Sequence, residues 1–187
     1  MSTATDTITV DVPLSTAYNQ WTQMESYPKF MAGVQSVEQL DDTHLRWHMN
    51  VAGVERDFDV EITDQVPDRT IAWASHGELE QRGRVDFIPK GPDATEVTLS
   101  LDWEPTGAVE KLGSAFMVDD ALVSRNLSMF KEFMESRGFE EGAWRGEVVD
   151  GEPQQPDMTQ MPPTSRDGAI LPGEGFLPGS RTRNNPA

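Results

Sequence analysis

No cysteine occurs among the 187 residues, which excludes disulfides, thiolate nucleophiles and cysteine-held metals. Cations are scarce too: 15 Lys and Arg stand against 32 Asp and Glu, for a formal net charge of -17. Nucleic-acid recognition rests on clustered Lys and Arg, so no nucleic-acid partner is expected, and an acidic membrane surface should repel the chain. Long apolar runs are also missing. No stretch approaches the roughly 20 residues of a spanning helix, and the start at Met1 shows neither the basic nor the apolar segment of a secretory signal. These absences predict a cytoplasmic protein without membrane insertion.

What is present centres on residues 108–137. Val109, Leu112, Phe116, Val123, Leu127, Phe130 and Met134 recur there mostly at three- and four-residue steps, forming one apolar stripe on a helix of about eight turns. A helix of that length needs a broad sheet curved around it as a partner. The stripe has a longer gap across Asp119 and Asp120, and Gly113, Ser114 and Ala115 are small. Close packing is expected to give way to a cavity there.

The chain before this helix reads as strands. Ile8, Val10 and Val12 alternate with polar neighbours until Pro13, after which Ser15 or its neighbour can cap a short helix carrying Ala17, Tyr18 and Trp21. A second helical turn follows at residues 27–31. From Val34 to Glu104 successive alternating stretches are separated by short turn signals, the pattern of an antiparallel meander, with a looser region bracketed by Gly77 and Gly83. Beyond Gly138 the last fifty or so residues hold about half of the prolines and no sustained period, which reads as a disordered tail. Its anchored part is Gly142-Ala143-Trp144-Arg145-Gly146, whose Trp is expected to pack on the domain.

Acid-base chemistry near neutral pH would start from His44, His48 and His76. By alternation His48 lies outside, opposite the Trp47 and Met49 face. His44 falls in a turn, and His76 sits near a strand end, where it could reach a cavity mouth. No two histidines have helical ligand spacing, so no metal site is expected. Asp57, Asp59 and Glu61 form an acidic row read as solvated. Asp119 and Asp120 would need a partner such as Arg125 or Arg56 if they looked into the interior. Ser75, Ser100 and Ser114 lack a base at recognisable spacing, and no Gly-rich phosphate loop occurs. The informative set is aromatic. Trp47, Phe58, Trp73, Phe87 and Trp103 fall on the apolar phases of successive strands, and with Phe116 and Asp120 from the helix they are the candidate ligand-binding residues, able to line a pocket or to fill it.

Several stretches carry a resemblance that covers residues from about 8 to 146. Among them are Phe58-Asp59-Val60-Glu61-Ile62, Gln65-Val66-Pro67-Asp68-Arg69-Thr70-Ile71-Ala72-Trp73, Gly83-Arg84-Val85-Asp86-Phe87, Thr95-Glu96-Val97-Thr98-Leu99, Lys111-Leu112-Gly113, Phe130-Lys131-Glu132-Phe133 and Gly142-Ala143-Trp144-Arg145-Gly146. The chain resembles the polyketide cyclase/dehydrase and lipid-transport group of the START-like (SRPBCC) superfamily. The resemblance implies an α+β helix-grip fold: a seven-stranded antiparallel sheet curved around a long C-terminal helix, with two short helices after the first strand. It also implies an apolar cavity between helix and sheet. It transfers no catalytic residue.

The expectation is therefore a helix-grip domain over residues 1–146 and a Pro/Gly-rich disordered tail over 147–187. Its expected role is binding or carriage of a small hydrophobic ligand (lipid, isoprenoid or polyketide-like) without a cofactor. Two alternatives stand beside it. One is an aromatase/cyclase or dehydratase, which requires an inward-facing titratable residue. The other is a protein-interaction module that uses the acidic surface or the tail to hold a protein partner, which a fully packed core would favour.

Overall fold

A computed structural model of the protein describes residues 2–51, 54–76, 79–105 and 120–154. Strand β1 (Ser2–Val10) leads into α1 (Leu14–Trp21) and a 3-10 helix (Met24–Lys29). Six strands follow: β2 (Val34–Gln39), β3 (His44–Val51), β4 (Val54–Val66), β5 (Thr70–His76), β6 (Leu79–Gly91) and β7 (Ala94–Pro105). Helix α2 is described over Asp120–Arg137, and β8 (Glu147–Val149) and β9 (Glu152–Gln154) come after it.

The seven long strands pair antiparallel in the order β1-β7-β6-β5-β4-β3-β2. Their alternation decides which side is buried. On β7, Thr95, Val97, Leu99 and Leu101 face inward while Glu96, Thr98, Ser100 and Asp102 do not. Two details differ from the sequence reading. β6 runs unbroken through Gly83, where a looser region was expected. Pro13, not Ser15 or its neighbour, occupies the N-cap of α1, and no side chain caps that helix.

The sheet has nine strands rather than the expected seven. β3 accompanies β4 only as far as Glu61, so the rest of β4 would expose unpaired backbone groups on that side. β8 covers this stretch. Val148 lies opposite Gln65, and the Gly151 N–H donates to the Thr63 carbonyl at 2.8 Å. Residues 147–154, placed by composition with the tail, are thus part of the sheet. Residues 155–187 lie outside the described residues.

Over its described length α2 buries Val123, Leu127, Phe130 and Met134, which are the expected stripe, and Asn126 as well. The expected first part of the helix, 108–119, lies outside the described residues. Periodicity does not single out Asn126, because its burial depends on one partner: its side-chain oxygen accepts the Ala32 N–H at 2.9 Å. α2 is tied to the sheet edge by Lys131, whose Nζ donates to the Thr9 carbonyl at 2.6 Å, and by Glu135, whose carboxylate accepts the Asp11 N–H at 2.9 Å.

Gly138, at φ 74°, ends α2 and releases a strap that crosses α1 and the 3-10 helix. The Trp144 N–H donates to Thr22 Oγ1 at 2.9 Å. Arg145 binds both carboxylate oxygens of Asp68, at 2.6 and 3.1 Å, and also reaches Asn19 at 2.8 Å, with its guanidinium 5.5 Å from the Tyr18 ring centroid. Glu141 accepts bonds from Lys29 and Ser26, both at 2.5 Å, and lies 3.2 Å from Arg137.

The bond from Lys29, then that from Ser26, holds the Glu141 carboxyl down at about 2, against an ordinary value of 4.5. A depressed carboxyl contributes stability that is present above the ordinary value and lost as pH falls through the folded-state value. The strap should accordingly weaken between about pH 4.5 and pH 2. In thermal melts from pH 7 down through that window, Glu141→Gln should melt lower than the parent at pH 7 and show a shallower acid decline. A second expectation concerns β8 and β9. A chain ending at Gly146 should melt about 5 °C or more below one ending at Gln154, because it forfeits the buried Val148 side chain. Equal melting of the two would show that these strands add nothing.

Candidate ligand site on the inner face of the sheet

The candidate residues are brought together only in part. Trp47 on β3 lies directly opposite Phe58 on β4, with ring centroids 6.1 Å apart. Trp73 on β5 is 6.0 Å from Trp47. All three are buried. They continue into aromatics from the short helices: Tyr27 sits edge-on to Trp47 at 5.6 Å, and Trp21 touches Tyr27, Phe30 and Phe130. A continuous aromatic spine thereby runs from α2 through α1 and the 3-10 helix to β3, β4 and β5. The sequence assigned Tyr18 and Trp21 to a short helix without showing that they face the same interior.

Phe87 stands apart, edge-on to Tyr18 at 5.5 Å under α1. Trp103 pairs with Gln81 and Ser2 by strand register, and its side chain lies outside what the structure describes. Phe116 lies outside the described residues. Asp120 is the first described residue of α2 and continues the buried stripe one turn before Val123, yet it is exposed.

One glycine explains how a Trp fits in the middle of the sheet. Trp73 pairs with Gly83 across β5 and β6, and a Cβ added to Gly83 would fall 2.1 Å from the indole Cζ2 and 2.7 Å from Nε1. The indole therefore lies on the β6 backbone, occupying space that any other residue would claim.

The interior also holds polar groups. The indole N–H groups of Trp21, Trp47 and Trp73 are buried without a hydrogen-bond partner. Each such group costs about 1–3 kcal/mol relative to its hydrated state. Ser75 and Gln81 satisfy each other across β5 and β6, the Gln81 N–H donating to Ser75 Oγ at 2.8 Å. On β1, Asp6 alternates with the exposed Thr5 and Thr7 and so shares the inner side with Ala4, Ile8 and Val10. The alternation read from the sequence at Ile8, Val10 and Val12 stops short of Asp6, although Thr3, Thr5, Thr7 and Thr9 continue it back toward the start. Burial raises Tyr18 to about 12 and raises Tyr27 as well, so neither phenol is a base near neutral pH.

Elsewhere, a cavity of about 10 Å³ beneath the strap is lined by Thr22, Met24, Leu45, Ile62, Gln65 and Trp144, among others. That is room for about one water, beside a Gln65 amide nitrogen that has no partner. On the outer face the acidic row is paired rather than merely solvated. Asp57 meets His48, Asp59 meets Arg46 at 2.9 Å, and Glu61 lies opposite His44. The His76 side chain lies outside what the structure describes. Among the described residues no helix is long and apolar enough to cross a membrane, and no group of three or more His, Asp or Glu is placed to hold a metal ion.

A sheet that grips a C-terminal helix, with two short helices after the first strand, is the helix-grip, START-like class of fold. Residues 10–132 match the family described as polyketide cyclase / dehydrase and lipid transport, and the chain belongs to that family. It is 45% identical over 150 residues to an uncharacterised 17.2 kDa protein of Streptomyces lincolnensis from the melC2-rnhH intergenic region, a match covering 80% of this chain and 100% of the relative. Among solved structures it is similar to a Deinococcus radiodurans protein, with TM-score 0.60 and 26% identity over 73% of this chain and 98% of that one. It is also similar in fold to the Zhui aromatase/cyclase of Streptomyces sp. R1128, with TM-score 0.59 and 19% identity over 76% of this chain and 99% of that one. The strap, β8 and β9 lie beyond the family match.

The seat of Trp73 can be tested directly. Gly83→Ala should force the indole off β6, lowering stability by about 1–3 kcal/mol and changing the aromatic circular dichroism. Unchanged melting with an unchanged aromatic spectrum would show that the ring rests elsewhere.

Proposed function

We propose that the chain binds or carries a small hydrophobic molecule (a lipid, isoprenoid or polyketide-like compound) between α2 and the inner face of the sheet. Trp47, Phe58, Trp73, Phe87, Trp103, Phe116 and Asp120 are the residues proposed to surround it. The observation that carries this reading is the aromatic spine with unpartnered indole N–H groups, since a core that had only to be filled would be cheaper with phenylalanine at those positions. Family membership supports it. A guest buried there would gain roughly 25 cal/mol per Å² of apolar surface before the costs of association, enough for micromolar binding of a lipid-sized molecule.

A second reading, an aromatase/cyclase or dehydratase, is favoured by Asp6, which supplies a carboxylate on the inner side of the sheet. In that case the interior would fold a reactive chain and Asp6 would move protons.

Titration with fatty acids, quinones and aromatic polyketides, read by tryptophan fluorescence, should give saturable quenching, which Phe116→Trp should abolish by filling the space. Native mass spectrometry of protein from its own source should show a small hydrophobic companion. No binding across the panel and no companion would count against this reading and favour the interaction module.

A further inference from the structure

An outermost strand carries unpaired backbone groups, and proteins that leave them unused shield them with Lys, Pro or a covering element. The two ends of this sheet differ in that respect. At β1 the side chains of Lys131 and Glu135 reach the edge from α2. At the other end β2 pairs with β3 alone. The Leu40 N–H donates to the His44 carbonyl at 2.8 Å and the Ile62 N–H to the Thr43 carbonyl at 2.7 Å, so His44, Arg46 and His48 face β2 while Thr43, Leu45 and Trp47 face β4. On β2, Ser36 and Glu38 therefore bond to β3, and Val37 and Gln39 turn both N–H and C=O outward. Among the described residues nothing meets these outward groups: the 3-10 helix lies beside β2 and makes no hydrogen bond to them.

We infer that the outer edge of β2 is a docking site for an extended, basic segment of another protein, which adds as a further strand beside Val37 and Gln39. The site is independent of what the interior holds. Gln35, Ser36, Glu38 and Gln39 are all exposed, so side chains on both faces of the rim are open to a partner. Leu40, 45% exposed at the end of the strand, adds an apolar contact.

Charge selects the occupant. From Val34 to Thr43 the chain carries Glu38, Asp41 and Asp42 and no Lys or Arg. Arg46 stands opposite Glu38 in the ladder, but its guanidinium is taken by Asp59 at 2.9 Å. Among the described residues neither Glu38 nor Asp42 has an ion-pair partner. A segment with Lys or Arg at alternate positions sets those cations along the same side as Glu38 while its backbone bonds to Val37 and Gln39. A second copy in that place would bring two acidic hairpins together in a molecule of net charge -17.

The test uses the full ¹⁵N-labelled chain and the peptide acetyl-Lys-Val-Lys-Thr-Lys-Val-amide, with its Glu-for-Lys counterpart as control. In the free protein the Val37 and Gln39 N–H groups should exchange with solvent quickly and those of Ser36 and Glu38 slowly. The Lys peptide should bind saturably, more weakly as salt is raised, and slow exchange at Val37 and Gln39; the Glu peptide should not bind. Gln39→Pro removes one outward N–H and no bond to β3, and should weaken the Lys peptide about five- to tenfold, whereas Gln39→Ala should leave it unchanged. Glu38→Lys, which leaves the backbone intact, should also weaken it, so the assignment stays decidable if the proline variant melts far below the parent. If the Lys peptide does not bind, binds Gln39→Pro or Glu38→Lys as well as the parent, or leaves exchange at Val37 and Gln39 unchanged, the docking site is refuted. If sedimentation shows the chain alone to be a dimer in which those two N–H groups are already protected, the occupant is a second copy and the basic-segment assignment fails.

Discussion

Seven long strands turn about half of their side chains to one side, and that side has to be kept from water by elements from outside the sheet. Three elements do this in the described part of the chain. α2 lies along β1, α1 covers Phe87 through Tyr18, and the 3-10 helix brings Tyr27 down beside Trp47. The strap makes them one lid, because Arg145 ties α1 to the β4–β5 turn at Asp68 while Glu141 gathers Lys29, Ser26 and Arg137. The lid is thus fastened by polar bonds at its rim and by aromatic rings beneath it. This division follows from solvent exposure: ion pairs at a wet rim orient parts and add little stability, while buried rings supply most of the apolar gain.

Much of this was legible in the residues because it depends on period. Alternation separates Val97, Leu99 and Leu101 from their outward neighbours, and three- and four-residue steps mark Val123, Leu127, Phe130 and Met134, whatever the partners turn out to be. Features that depend on one specific partner were not legible. Asn126 is buried because Ala32 meets it, and Gly83 is a seat for Trp73 rather than a break. β8 was hidden for another reason. It is three residues long, and it forms because β4 has an open side to cover.

The candidate site shows the same limit. Trp47, Phe58, Trp73 and Phe87 share one phase on their strands, so the pattern puts all four on the inner face and cannot say which of them touch. Register decides that, and it sets Phe87 apart from the other three. Asp6 was missed because the alternation was followed only from Ile8 onward. The unsatisfied indoles are a property of three dimensions alone, since an amphipathic side chain is silent about its polar tip until its neighbours are known.

The bonds from Lys131 to the Thr9 carbonyl and from Glu135 to the Asp11 N–H were introduced as fastenings of α2. They also occupy a backbone group of an outermost strand of the sheet and one just past its end, which would otherwise be free to pair with an extended segment of another chain. With the molecule carrying a net charge of -17, copies already repel one another at a distance, and these two side chains act at the range where repulsion no longer protects. A substitution at Lys131 would hence be felt less in how firmly the helix is held than in how safely the protein can be concentrated.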